Sequence, residues 1–193
     1  VFGMVIALGR RIIACDRVVR QGGTKNGLVG WELEGHTFGV VGTGAIGLRV
    51  ARIAAAFGCR VLAYSRTKKQ VEGVEYVDLD TLLRESDIVS LHVPQTAATA
   101  GMIGERELSL MKPSAILINT ARGPIVDSKA LAKALTDGKI AGAGIDVFEV
   151  EPPVATDHPL FSAPNVVATP HVAFATAESM VKRAVIVMDN IDC

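Results

Sequence analysis

Short apolar runs alternate with segments of helical apolar spacing along most of this chain. The apolar runs predict strands at residues 37–41, 61–64, 74–77, 88–93, 114–119, 141–147 and 166–168. The helical spacing predicts helices at residues 1–13, 45–57, 78–84, 128–137 and 173–191. Strands as apolar as these are buried on both faces. The pattern therefore predicts an α/β fold in which helices cover a parallel sheet.

Composition and charge narrow the class of partner. Hydrophobic residues make up 49% of the 193 residues, enough for a sizeable core, and 20 basic residues balance 20 acidic ones. A neutral chain has no broad field that attracts nucleic acid, and the first apolar run is interrupted at residues 9–11, too early to span a bilayer. Cys15, Cys59 and Cys193 lack the spacing of a metal or redox motif. We expect reduced thiols in a cytoplasmic protein, with no metal, nucleic-acid or membrane partner.

The predicted strand at residues 37–41 leads directly into GTGAIG, a GxGxxG pattern. Gly42 permits a tight turn, Gly44 lets a pyrophosphate approach the backbone, and Gly47 lets the following helix pack against the strand. The N-terminus of that helix offers free N–H groups to phosphates. The pattern is weak alone, but here strand, turn, helix and second strand follow in order. The sequence therefore predicts a dinucleotide site.

A basic loop, SRTKK, follows the second predicted strand at residues 65–69. A dinucleotide site usually has an acidic residue here, which accepts hydrogen bonds from the ribose 2′-hydroxyl of NAD. Ser65 can donate to a 2′-phosphate, Arg66 can pair with it in a bidentate manner, and Thr67 lies in the same loop. The two lysines that follow either add positive charge or are solvated loop residues. The loop favours NADP over NAD.

Polar residues follow several predicted strands and therefore lie at one edge of the sheet. Ligands of an open α/β sheet bind beyond the carboxyl ends of its strands. The polar positions there include Pro94 to Thr96, Thr120 to Gly123, Asp146 and Thr169 to His171. An arginine, an acidic residue and a histidine around a nicotinamide suit reduction of a 2-oxo acid. The guanidinium binds the planar carboxylate, and the histidine donates a proton while hydride reaches the carbonyl carbon.

Each of these residues also has a structural interpretation. Arg122 could be a surface arginine, Glu149 and Glu151 could be solvated loop charges, and His171 could be a structural histidine. The other histidines, His36, His92 and His158, suit a structural role better, although His92 is close enough to the edge to touch a cofactor. Convergence on one edge favours the functional interpretation.

Segments covering nearly the whole chain resemble one family. LEGHTFGVVGTGAIG, SDIVSLHVPQT, MKPSAILINTARGPIVD, AGAGIDVFEVEPP and NVVATPHVAFAT are similar, in order and spacing, to the nucleotide-binding domain of the D-isomer-specific 2-hydroxyacid dehydrogenases. The resemblance implies a Rossmann-type doubly wound parallel sheet, with the family's flavodoxin-like substrate domain largely absent. It divides the chain into an interdomain and dimerisation helix with a linker at 1–30, an NAD(P)-binding domain at 31–172, and a C-terminal helix at 173–193 that leads back toward the substrate domain.

The resemblance also implies roles for individual residues. Arg122 would bind the substrate carboxylate and carbonyl oxygen, and His171 would donate the proton while paired with Glu151 rather than Glu149. Asp146 would meet the nicotinamide carboxamide. The other implied cofactor contacts are Ala45 and Ile46 at the pyrophosphate, Thr120, Ala121 and Ala173 at the nicotinamide, and Pro94 and Thr99 near the adenosine and phosphates.

Two departures from the family pattern refine these expectations. Ser65 stands where NAD-dependent members usually have Asp, and both this loop and Phe174 are more similar to NADPH-dependent glyoxylate and hydroxypyruvate reductases. The second departure is the absent substrate domain, which would close the cleft. We therefore expect the chain alone to bind cofactor but turn over poorly. The helix at residues 1–13 corresponds to the family's dimer-forming helix, so a homodimer is expected.

Two other functions are compatible with parts of this sequence. Some transcriptional corepressors resemble the same family and use dinucleotide occupancy to control assembly, and they can retain the Arg, Glu and His. The basic loop at 65–69 argues against that sensing role, because such redox sensing uses NAD. The dinucleotide module of an unrelated dehydrogenase is disfavoured by the spacing of Arg122, Glu151 and His171.

Overall fold

The computed structural model describes residues 1–150 and 153–191, and within them seven parallel strands form one sheet. The strands are β1 (Thr37–Val41), β2 (Arg60–Tyr64), β3 (Val74–Tyr76), β4 (Ile88–Leu91), β5 (Ile116–Asn119), β6 (Gly142–Ile145) and β7 (Val166–Ala168). Their order is β3-β2-β1-β4-β5-β6-β7, and every neighbouring pair is parallel. The predicted α/β fold with a doubly wound parallel sheet is confirmed.

Helices connect the strands and flank the sheet. They are α1 (Phe2–Gly9), α2 (Ile12–Arg20), α3 (Ala45–Ala56), α4 (Leu79–Glu85), α5 (Glu105–Leu110), α6 (Ser128–Thr136), α7 (Pro159–Ser162) and α8 (Ala177–Ile191), with a 3₁₀ turn at Gly123–Ile125. In the described part of the chain, each helix is too short or too polar to cross a membrane.

Two predicted helices differ from the observed ones. The single helix predicted at residues 1–13 is wrong, because Arg11 has a left-handed φ of 51° and separates α1 from α2. The final helix begins at Ala177 rather than at residue 173, because residues 172–175 form a turn, in which the amide of Ala175 donates to the carbonyl of Val172, and the hydroxyl of Thr176 caps the helix by accepting from the amide of Ser179 at 3.1 Å. Helices α5 and α7 were not predicted, since two turns or fewer carry little apolar periodicity.

The core has two parts, one on each face of the sheet. Side chains of α4, α5, α6 and α7 cover one face, and those of α1 and α3 cover the other. Helix α1 lies close to β6, since a Cβ added at Gly144 would be 2.8 Å from the Cβ of Met4. The apolar start of the chain is therefore part of the core. The three-part division at residues 30 and 172 stays a prediction.

The strand order reverses direction between β1 and β4. From β1 the chain proceeds outward to β2 and β3, and then crosses to β4 on the other side of β1. Loops that leave the carboxyl ends of β1 and β4 in opposite directions open a crevice, which is where ligands bind in this architecture. The predicted site residues that the structure describes follow the strands at this edge.

Candidate active site

The glycine turn after β1 has the geometry that its sequence predicts. Gly42 has a φ of 98°, and a Cβ there would lie 2.8 Å from the carbonyl carbon of His92. A Cβ at Gly47 would lie 1.9 Å from the carbonyl oxygen of Gly42, so α3 can approach the turn only with glycine there. Gly44, in contrast, has nothing within 4 Å of an added Cβ. Open space over Gly44 is what a pyrophosphate would need.

The start of α3 faces this open space. Gly44 is the N-cap and has no side chain, so the first amides of the helix remain for a ligand. Ala45 and Ile46 follow directly, both exposed, and 70% of Ile46 is accessible although it is a large apolar residue. These features fit a dinucleotide whose pyrophosphate lies on the helix N-terminus.

The loop after β2 is held against the glycine turn. The amide of Gly42 donates to the carbonyl of Tyr64 at 2.8 Å, and the hydroxyl of the buried Thr43 donates to the carbonyl of Thr67 at 3.4 Å. Ser65 is partly buried, whereas Arg66 and Thr67 are exposed. The three predicted adenosine-end residues therefore lie beside the turn, with the guanidinium of Arg66 available to a ligand.

A cleft of about 900 Å³ lies between the loops that follow β4 and β5. The predicted site residues in its lining are Ile46, Pro94, Thr120, Ala121 and Arg122. Thr99 supports the wall instead, because its hydroxyl donates to the carbonyl of Pro94 at 2.6 Å. The structure thus brings together residues from three separate loops of the predicted edge.

Asn119 shapes the loop that carries Arg122. Its buried side chain accepts from the amide of Ala121 at 3.0 Å and donates to the carbonyl of Arg122 at 2.9 Å. The following Gly123 fits closely under the next loop, since a Cβ there would lie 1.9 Å from the carbonyl of Phe148. These contacts fix the backbone while the Arg122 side chain stays exposed.

Asp146 is fully buried directly after β6 and binds the segment that contains His171. Its carboxylate accepts hydrogen bonds from the hydroxyl of Thr169 and from the amides of Val172 and Ala173, the last two at 2.9 Å. His171 has a φ of 56°, and its ring meets the edge of Phe174 at 5.7 Å between centroids. The structure therefore gives Asp146 a role within the chain in addition to its predicted nicotinamide contact.

A short series of hydrogen bonds connects Arg122 with His171. The amide of His171 donates to the carbonyl of Asp146 at 2.7 Å, and the amide of Asp146 donates to the carbonyl of Asn119 at 3.0 Å. Asn119 in turn holds Arg122. The two predicted substrate-handling residues thus belong to adjoining loops at the same edge of the sheet.

The predicted partner of His171, Glu151, lies outside the described residues. The alternative, Glu149, contacts a different histidine, because its carboxylate lies 3.1 Å from Nε2 of His158. His158 also packs edge-on against Phe148. This pairing agrees with the prediction that His158 has a structural role, and the pairing of Glu151 with His171 stays a prediction.

Three residues of this edge were not predicted as site residues. Asn119 ends an apolar strand, and Thr169 precedes the Pro-His pair, so polarity at a strand end was the available signal for both. His92 lines the cleft, and its Nε2 lies 2.9 Å from the hydroxyl of Ser90. Desolvation lowers the pKa of His92 to about 4, so its imidazole is neutral at neutral pH.

The strand order and the glycine turn define a dinucleotide-binding α/β domain. Residues 2–173 match the family described as "D-isomer specific 2-hydroxyacid dehydrogenase, NAD binding domain". The chain belongs to this family. It is 49% identical over 202 residues to the glyoxylate reductase of Thermococcus litoralis, a match that covers 98% of this chain and 60% of the relative.

Solved structures of this family superpose closely on the chain. An acyclic imino acid reductase in complex with NADPH and D-Arg is 37% identical, with a TM-score of 0.92, and the match covers 100% of this chain and 62% of that one. The D-lactate dehydrogenase of Aquifex aeolicus, complexed with NAD and lactic acid, is 39% identical with a TM-score of 0.89, covering 98% and 64%. The chain thus spans about three fifths of the length of these proteins, and they include both NADPH and NAD complexes.

Proposed function

We propose that the protein reduces a small 2-oxo acid of the glyoxylate or hydroxypyruvate type to the D-2-hydroxy acid, with a nicotinamide dinucleotide as hydride donor. The observation that supports it most directly is the series of hydrogen bonds through Asn119 and Asp146, which connects the loop of Arg122, a residue of the cleft lining, with the loop of His171. The similarity to a glyoxylate reductase agrees with this substrate class.

Arg122 binds the substrate in this proposal. Its guanidinium is exposed at the cleft, apart from one Nη1 hydrogen bond of 2.6 Å to the carbonyl of Ala121, and its remaining N–H groups suit a planar carboxylate. The reduced nicotinamide supplies a hydride to the carbonyl carbon when bound. Thr120, Ala121 and Ala173 line the nicotinamide end, where they orient the ring and exclude water.

His171 is the proton donor to the carbonyl oxygen. A histidine suits this role because it exchanges protons near neutral pH. Glu151 orients the imidazole and stabilises its protonated form. The carboxylate of Asp146 holds the loop of His171, and the contact with the cofactor carboxamide that the resemblance implies would require this fully buried side chain to become accessible.

NADP is the proposed cofactor in preference to NAD. The loop of Ser65, Arg66 and Thr67 has no carboxylate to repel a 2′-phosphate, and Arg66 is exposed beside the glycine turn. Ser65 can donate to a phosphate oxygen, and the guanidinium can bind two of them. Pro94, whose carbonyl accepts from the hydroxyl of Thr99, and Thr99 itself would lie near the adenosine and the phosphates.

Steady-state kinetics of the full-length protein with glyoxylate and NADPH tests the proposed function. We expect His171→Gln to lower kcat by about 10²- to 10⁴-fold while the NADPH Kd stays within about twofold, because the general acid is lost and the dinucleotide contacts remain. Arg122→Lys should raise KM for glyoxylate, since an ammonium cannot bind the carboxylate in a bidentate manner. Arg52→Lys, at an exposed position of α3, is the matched control. A wild-type protein that reduces no 2-oxo acid would reject the proposal.

A homodimer in the cytoplasm is proposed for the whole protein. Helix α2 exposes Ile12, Ile13 and Val19 to 48%, 51% and 68%, an apolar surface that a second subunit would cover. Cys15 and Cys59 are free thiols, as is usual in a reducing compartment. Sedimentation velocity at micromolar concentration would show a monomer if the dimer proposal is wrong.

A further inference from the structure

The loop that contains His171 is closed by a buried carboxylate. Asp146 has no accessible surface, and its two oxygens accept hydrogen bonds from both flanks of the histidine. Thr169 donates from the N-terminal side, while the amides of Val172 and Ala173 donate from the C-terminal side. A buried carboxylate is tolerated only when such donors compensate for the lost water.

The backbone of His171 needs this support. Its φ of 56° lies in the left-handed region, which only a few per cent of non-glycine residues adopt, although Asn, Asp and His do so more often than the others. Its amide donates to the carbonyls of Asp146 at 2.7 Å and Thr169 at 3.1 Å. Strained conformations of this kind persist only where the surroundings determine them. The direction of the His171 side chain therefore depends on the contacts of Asp146.

Thr169 is distinctive among the three donors because it is the only one that uses a side chain. The two amides cannot be removed by a simple substitution, whereas the hydroxyl can be deleted at nearly constant volume. A hydrogen bond to a charged group is stronger than one between neutral groups. The hydroxyl of Thr169 therefore contributes substantially to the set of hydrogen bonds that Asp146 accepts from this loop.

We propose that Thr169 is a positioning residue, which acts through Asp146 to hold His171 in the orientation that protonates the substrate. This inference rests on the proposed function of His171. It assigns to Thr169 no contact with substrate or cofactor. Loss of the hydroxyl should therefore affect the chemical step and leave dinucleotide binding intact.

The test compares Thr169→Val, Thr169→Ser and Thr136→Val in the full-length protein. Thr136 is an exposed control whose hydroxyl donates to the carbonyl of Ala132 on α6. We expect Thr169→Val to lower kcat about tenfold, with KM for glyoxylate and the NADPH Kd within about twofold, because a charge-assisted hydrogen bond is lost. Thr169→Ser should restore kcat to within about threefold of wild type, because it retains a hydroxyl donor. Thr136→Val should match wild type.

A second measurement does not need turnover. In protein with ¹³C-labelled histidine, the His171 ring resonance, assigned with His171→Gln, should shift and broaden in Thr169→Val and return to its wild-type position in Thr169→Ser. An unchanged resonance, an unchanged kcat, or a kcat as low in Thr169→Ser as in Thr169→Val would overturn the positioning role. If wild type reduces no 2-oxo acid, the proposed function fails separately, and the resonance still decides whether Thr169 orients His171.

Discussion

Arg66 is an exposed residue in a loop whose backbone is held on two sides. The hydroxyl of Thr43 donates to the carbonyl of Thr67 at 3.4 Å, and the amide of Lys69 donates to the hydroxyl of Tyr76 at 3.1 Å. The side chain of Arg66 can therefore bind a 2′-phosphate without ordering its loop at the same time. Less conformational entropy is lost when such a loop binds its ligand.

We predict that Arg66→Asp reverses the cofactor preference. The carboxylate repels a 2′-phosphate and accepts from a ribose 2′-hydroxyl, so the NADPH Kd should rise roughly tenfold or more while the NADH Kd falls. Fluorescence titration with both cofactors measures the ratio. Lys69→Asp makes a charge change of the same size at the end of the loop and should alter the ratio less. A wild-type protein that prefers NADH would show that the loop at residues 65–69 does not select NADP.

The protonation of His92 is linked to folding. Desolvation lowers its pKa from 6.5 to about 4 in the folded state. Between these pH values the unfolded chain binds a proton that the folded chain does not. The free energy of unfolding therefore decreases as pH falls from 6.5 to 4, and the contribution is constant above 6.5.

We predict that His92 accounts for a loss of about 3 kcal/mol in the free energy of unfolding over this interval. Urea titrations at pH 7, 5.5 and 4 measure it. His92→Gln removes the titrating group while its amide can still bind the hydroxyl of Ser90. Carboxylates also titrate in this range, so the difference between wild type and variant isolates His92. Parallel pH dependence of the two proteins would contradict the assignment.

At the scale of elements, the turn between β1 and α3 contains two glycines that are required for different reasons. Gly47 is required for packing, because the methyl group of an alanine at this position would overlap the carbonyl of Gly42. Gly44 is required only for a ligand, since its φ of −69° suits any residue and the space around it is open. The same motif therefore contains a folding position and a binding position.

We predict opposite outcomes for alanine at these two glycines. Gly47→Ala should destabilise the fold by several kcal/mol, on the order of the larger effects of overpacking. Gly44→Ala should melt near the wild-type temperature yet lose at least about tenfold in NADPH affinity, because its methyl group occupies the place of the pyrophosphate. Thermal melts with and without NADPH measure both effects. A Gly44→Ala protein with normal affinity would show that phosphates do not approach this turn.

The strands and the glycine turn could be predicted from the sequence because their signals are local. Apolar runs such as ILIN and the spacing of Gly42, Gly44 and Gly47 are visible without tertiary contacts. The start of α8 was not predicted, because residues 172–175 continue the apolar pattern of the helix and yet form a turn, in which the amide of Ala175 donates to the carbonyl of Val172. Asn119 was missed for another reason. It is the last residue of β5 and was assigned to the strand, whereas its side chain binds the backbone of Ala121 and Arg122 in the loop that follows.

At the scale of the whole molecule, helix α8 is exposed along residues 177–190. Met180, Val185, Ile186 and Met188 are each at least half exposed. In the relatives, about two fifths of the sequence lies outside the matched region. The predicted path of this helix toward a substrate domain would cover apolar side chains of this kind.

We predict that the 193-residue chain alone binds NADPH but reduces glyoxylate at least about 100-fold less efficiently than the full-length protein. The reason is that the substrate and the catalytic groups are not held in the geometry that the reaction needs. Isothermal titration gives the NADPH affinity, and an absorbance assay at matched concentration gives kcat/KM. Equal efficiency of the two proteins would show that Arg122 and His171 suffice without further residues.

The contact between Gly123 and Phe148 connects the loops after β5 and β6. Because the two backbones touch there with no room for a side chain, any residue larger than glycine at position 123 would displace the loop after β6. Substitutions that broaden the range of accepted acids must then change both loops together or leave both unchanged. During divergence from a common ancestor, the segments that follow β5 and β6 would be inherited as a single module.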